Sequence, residues 1–125
     1  MKMTSGVLPL VVMGLVAFGT AHAESKEESI EKGAAHYRIF CINCHGEKAD
    51  GHGPLADLMK IKPVDLTRLN QSPGNDLTIL ERVFRAVDGR HEVGDGKERK
   101  MPVFSDNLAV QTVYEVAEFI EAIQK

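Results

Sequence analysis

Cys41-Ile42-Asn43-Cys44-His45 is the stretch that decides how the rest of the chain is read. Two residues between the cysteines bring both sulfurs within reach of the two vinyl groups along one edge of a porphyrin. His45, next in line, then offers an imidazole nitrogen to the iron. C-x-x-C-H is accordingly the attachment signature of a c-type haem. Two other chemistries use the same residue types. A dithiol redox centre also uses C-x-x-C, but in a strand–helix setting, and no segment of this chain alternates as a strand. A zinc site would draw on Cys41, Cys44, His45 and His52, yet a histidine directly beside a cysteine departs from the paired spacing of structural zinc sites. Haem is the reading carried forward.

On the N-terminal side of the motif, Ile30, Ala34 and Tyr37 recur at helical spacing, while Glu27, Glu28, Glu31 and Lys32 lie off that stripe. Ser25-x-x-Glu28 reads as a capping box, so a helix is predicted over about 26–39, running into Cys41. Further back the composition changes. Lys2 precedes an apolar run, Val7 to Phe18, broken by Pro9 and Gly14, and Ala21-His22-Ala23 follows as a small-x-small site. Residues 1–23 therefore read as a secretory signal peptide, cleaved after Ala23, and 24–125 as the working domain. The run falls short of the about 18 continuous apolar residues that a spanning helix needs, so no membrane span is expected after cleavage.

On the C-terminal side, Gly46 to Pro54 carries three glycines and is a loop. Leu55 to Lys60 is a short helix before Pro63. Leu77, Leu80, Val83, Phe84 and Val87 line a second amphipathic helix, capped by Asn75 or Asp76 and ended by Gly89. Residues 88–106 have no periodicity and form a long loop. A last helix covers about 109–124, with Val113, Val116, Ala117, Ile120 and Ile123 on one face. The expected fold is all-α, three to four helices packed around one covalently attached haem. A chain of 125 residues has room for one domain, and its short helices bury little without such a group. Its formal net charge of −3 argues against nucleic acid, and two cysteines cannot staple a scaffold.

With His45 on one face of the iron, the opposite face decides the function. Beyond the signal peptide the methionines are Met59 and Met101. Met59 falls in a helical stretch where a thioether fills core space. Met101 precedes Pro102, which holds it extended in the long loop. Met101 is the favoured sixth ligand; His36, His52 and His91 are the alternatives, with His91 the best placed of them. His45 also needs a partner for its second nitrogen. Pro54 keeps a free carbonyl, or it simply punctuates the glycine-rich loop. A thioether opposite an imidazole raises the reduction potential and leaves no coordination site for small molecules, which suits an electron carrier.

Over 25–125 the sequence resembles the class I (monohaem) c-type cytochromes of the bacterial periplasm. The resemblance is carried by Gly33, Tyr37 and Cys41 at intervals of four, by Cys41-x-x-Cys44-His45, by Gly53-Pro54 and by Met101-Pro102. It implies that Gly33 and Tyr37 pack against the last helix at Val116 and Phe119. It implies that the Pro54 carbonyl is the partner of His45 and that Met101 is the distal ligand. The Ser or Thr cap usual at the last helix is absent; Ala109 follows Leu108, with Asn107 as a substitute.

The expected activity is the shuttling of single electrons between a redox donor and an acceptor. The chain would act as a free carrier or as the electron-accepting subunit of a periplasmic dehydrogenase, and a terminal oxidase is another expected partner. It is not expected to be an enzyme. The competing function is a haem c protein with an open or labile sixth site, serving peroxide reduction or gas sensing. Lys97, Arg99 and Lys100 precede Met101, whereas Glu27, Glu28, Glu31, Glu115, Glu118 and Glu121 gather on the terminal helices. These are either solvated faces or the two poles of a molecule that turns its Met101 side toward an acidic partner.

Overall fold

The computed structural model describes residues 24–59, 62–72, 76–90, 101–104 and 106–125. Residues 1–23, read above as a signal peptide, and Lys60, Asn75, His91, Lys97, Arg99 and Lys100 lie outside the described residues. Among those described, every regular element is helical and none is a strand. There are four α-helices, α1 (Lys26–Phe40), α2 (Ile42–His45), α3 (Ile79–Asp88) and α4 (Val110–Ala122), and two short 3-10 helices, at Ala56–Leu58 and Leu66–Gln71, lie between α2 and α3.

The backbone amide of Glu28 donates to Ser25 Oγ (3.2 Å) at the start of α1. The carboxylate of Glu28 turns instead to Lys32 (2.9 Å), so only half of the expected capping box forms. The buried stripe is also rotated from the expected one. Ser29, Gly33 and Tyr37 face inward, one position before Ile30 and Ala34. Gly33 is the reason. A Cβ there would lie 1.9 Å from the Glu115 carbonyl oxygen, so the backbones of α1 and α4 cross at a distance only glycine permits. The packing implied for Gly33 and Tyr37 is present at Phe119, whose ring lies 5.3 Å from that of Tyr37.

The cap of α3 is Thr78, not Asn75 or Asp76. Thr78 and Glu81 form a full reciprocal box: the Glu81 amide donates to Thr78 Oγ1 (3.2 Å) and the Thr78 amide to Glu81 Oε2 (2.9 Å). Ile79, Val83 and Val87 are the buried positions, while Leu80 is exposed. Gly89, at φ +89°, ends the helix in the left-handed conformation as expected. Ala109 caps α4 without any side-chain bond, so Asn107 does not replace the missing Ser or Thr.

The core gathers Leu69, Ile79, Val83, Val87, Val113, Val116, Ala117 and Ile120, with Met101, Phe104 and Phe119 at its edge. Each fully buried aliphatic side chain adds about 1.5–3 kcal/mol. The second 3-10 helix, unforeseen from the sequence, closes one end of this core. Asp65 caps it by accepting from the Thr67 amide (2.9 Å). Arg82 of α3 donates to the Leu69 carbonyl (2.6 Å), and Gln124 Nε2 donates to the Leu66 carbonyl (2.7 Å).

The acidic residues of the terminal helices are not one solvated face. Glu28 meets Lys32, and Glu118 and Glu121 face Lys26. Glu115 is 4% exposed, its carboxylate 3.0 Å from His36 Nε2 and accepting from Gln111.

Candidate functional site

Helix α1 delivers Cys41 as its own C-cap, and α2 is the single turn that follows. One helical turn places Cys41, Cys44 and His45 together because residues three and four apart share a face. Both cysteines are free and half-buried. Burial, with the neighbouring Cys44 as a smaller cause, pushes the Cys41 thiol up to about 11. The thiol rather than the thiolate therefore prevails at neutral pH.

The glycine-rich loop folds back over α2 through backbone bonds. Gly51 donates to the His45 carbonyl (2.9 Å), Gly53 to Cys44 (3.1 Å) and Leu55 to Asn43 (2.9 Å). A Cβ on Gly53 would lie 2.4 Å from the Asn43 carbonyl oxygen, so a side chain is excluded there. Tyr37 supports the same turn from below, its hydroxyl donating to the Gly46 carbonyl (2.6 Å). Burial holds that phenol well above its ordinary pKa.

His45 is buried, and its Nδ1 lies 3.2 Å from the Val64 carbonyl oxygen. Burial pulls the imidazole below its ordinary value, outweighing the opposite pull of that carbonyl. A neutral ring donating from Nδ1 leaves the Nε2 lone pair free, as a metal ligand requires. Val64, not Pro54, is thus the partner of His45. Pro54 is exposed at the outer bend of the loop, because the bonds of Gly53 and Leu55 commit that segment to the backbone of α2. The chain after Pro63 supplies the carbonyl instead. Nothing local in the sequence marks Val64; its role depends on a contact across 19 positions.

Met101 is half-buried against the edge of the core. Its segment is tied down by the Phe104 amide, which donates to the Val87 carbonyl (2.8 Å). The Phe104 ring meets Phe40, the residue before Cys41, edge-on at 6.4 Å. Phe40 and Phe104 therefore join the Met101 segment to the motif, and neither was singled out from the sequence.

Two of the rival donors are engaged elsewhere, while His91 lies outside the described residues. His36 belongs to the α1–α4 interface, and the exposed His52 pairs with Asp50 (3.3 Å). Among the described residues no three His, Cys, Asp or Glu side chains are grouped to hold a metal ion. The residues do fit a haem: two free thiols on one turn, an imidazole with an open nitrogen, and apolar side chains left uncovered nearby in sequence. Ile39, Leu55, Leu58 and Val103 are all exposed, Leu58 by 82%. Cys41 and Cys44 would hold the porphyrin and His45 the iron; the group itself supplies the one-electron couple.

A helical fold with this turn of thiols and imidazole defines a class I c-type cytochrome. The family model of cytochrome c oxidase, cbb3-type, subunit III, matches residues 28–120, and the chain belongs to that family. No curated protein matches the chain.

Proposed function

We propose that the chain is an exported monohaem cytochrome that passes single electrons between protein partners, with His45 and Met101 as the axial ligands. A single C-x-x-C-H supports one haem. The observation that carries the reading is the His45 ring, fixed by Val64 with Nε2 left open for iron. Met101 supports the other half, since it packs at the core edge and Phe104 ties its segment beside Phe40. The chain acts in the periplasm after cleavage following Ala23. Its family makes a terminal oxidase the first acceptor to consider, ahead of a dehydrogenase as donor. Lys97, Arg99 and Lys100, close before Met101 in the sequence, suit an acidic partner.

Carbon monoxide added to the reduced protein at neutral pH tests the ligation. The wild type is expected to stay unliganded, and Met101→Ala to bind promptly. Prompt binding by the wild type would overturn Met101 and favour peroxide reduction or gas sensing. The intact mass of the purified protein tests the thioether links, and a bare polypeptide mass would refute them.

A further inference from the structure

Away from the cysteines, the α1–α4 interface opens at the N-terminal end of α1 into a cleft of about 320 Å³. Glu24, Ser25, Lys26, Ser29, Tyr114 and Glu118 line it. Two polar atoms there are buried without a hydrogen bond, Ser29 Oγ and Glu118 Oε2. Ser29 as a whole is only 5% exposed. A buried polar atom left unmatched is unfavourable, and native proteins seldom keep one without a reason.

The neighbouring lysine does not resolve this. Lys26 Nζ stands 3.5 Å from Glu118 Oε2 and 3.7 Å from Glu121, an ion contact beyond ordinary hydrogen-bond length, with its own side chain mostly in solvent. The carboxylate of Glu118 raises the pKa of Lys26 by its charge, and that of Tyr114 by a hydrogen bond in which the phenol donates. The site suits a compact cation with several N–H donors.

Glu24 is pinned at the rim of this cleft from both sides. Its carboxylate takes Lys32 Nζ on α1 (2.9 Å) and accepts from Gln111 Nε2 on α4 (3.2 Å). We propose that the cleft receives the α-ammonium of Glu24, created when cleavage after Ala23 makes this the first residue. The inference rests on the export reading above. An α-ammonium carries three donors, and Ser29 Oγ, Glu118 Oε2 and the Tyr114 hydroxyl are the acceptors offered. A positive charge at a helix N-terminus is disfavoured by the helix dipole. Glu118, reaching across from α4, reverses that preference. The charged groups facing the amine are then Glu24, Lys26 and Lys32 from the α1 side, and Tyr114, Glu118 and Glu121 from α4. Processing thereby adds a contact between α1 and α4 that the precursor lacks.

The test uses haem-loaded protein trimmed by a site-specific protease so that Glu24 is residue one. Acetylation of its α-amine near neutral pH is followed by mass spectrometry, with an unstructured peptide of the same first residues as reference. The docked amine is expected to react about tenfold more slowly, equivalent to one unit above the ordinary 7.7–8.0. Glu118→Gln and Ser29→Ala should each restore several-fold of that rate while the haem spectrum stays unchanged. Reaction at the peptide's rate, or protection indifferent to Glu118→Gln, overturns the proposal and leaves Lys26 and water as the occupants. The mass of protein exported from cells tests cleavage separately. A start other than Glu24 refutes docking in the cell, even where the trimmed protein shows protection.

Discussion

The two sides of the candidate haem site are built by different physics. On the His45 side the main chain does the holding: Gly51, Gly53 and Leu55 bond back to α2, Tyr37 bonds to Gly46, and Val64 orients the imidazole. On the Met101 side the described ties gather at Phe104, whose amide donates to Val87 and whose carbonyl accepts from Asn107 and Leu108, with an aromatic edge against Phe40. Backbone bonds fix position narrowly, whereas apolar contact tolerates displacement. The proximal turn is accordingly tied by main-chain bonds at the ligand itself, and the Met101 segment through Phe104.

The largest expected effect comes from breaking the rigid side. Gly53→Ala forces a methyl group against the carbonyl of Asn43 and should cost about 3 kcal/mol. Urea unfolding of the haem-loaded protein would register it as a lower midpoint at unchanged slope. A loss under about 1 kcal/mol would show that the proximal loop yields as readily as the distal one.

Phe104→Ala attacks the softer side. The ring is half-buried, so the loss should be about 2 kcal/mol, below that for a fully buried aromatic. It should also let carbon monoxide bind the reduced protein, which Gly53→Ala should not. Equal gas binding by the two variants would abolish the distinction between the sides.

A smaller effect is expected at Asp65, which caps the turn directly after Val64. The Thr67 hydroxyl and amide hold its carboxyl below the usual range. A depressed folded pKa means stability present above the unfolded value, near 3.8, and lost as the pH falls through the folded one. Asp65→Ala should therefore cost about 1 kcal/mol at neutral pH, and the gap to wild type should close in acid. A gap that persisted at the lowest pH would assign the effect to packing rather than to the charged cap.

The sequence revealed the periodic and the local features more readily than the distant ones. Helix α1 and helix α4 follow from apolar spacing, and Gly89 from its position after Val87. Cys41, Cys44 and His45 form a turn because their spacing permits little else. The Thr78–Glu81 box was equally visible, but the polar residues just before it drew the cap too far upstream. Glu115 was read as surface from its charge, because burial there depends on His36 and Gln111 approaching from two directions. Val64 was invisible for a related reason: a main-chain carbonyl carries no side-chain signal, and Pro54 had the nearer one.

The crossing of α1 and α4 has an order of events built into it. Gly33 and Glu115 touch only after most of the domain between them has been drawn into a ring, a closure whose entropic penalty grows with the logarithm of its length. The five-residue motif needs no such closure, since a single helical turn displays it. The pentapeptide is thus open to modification on an extended chain, before α1 and α4 meet.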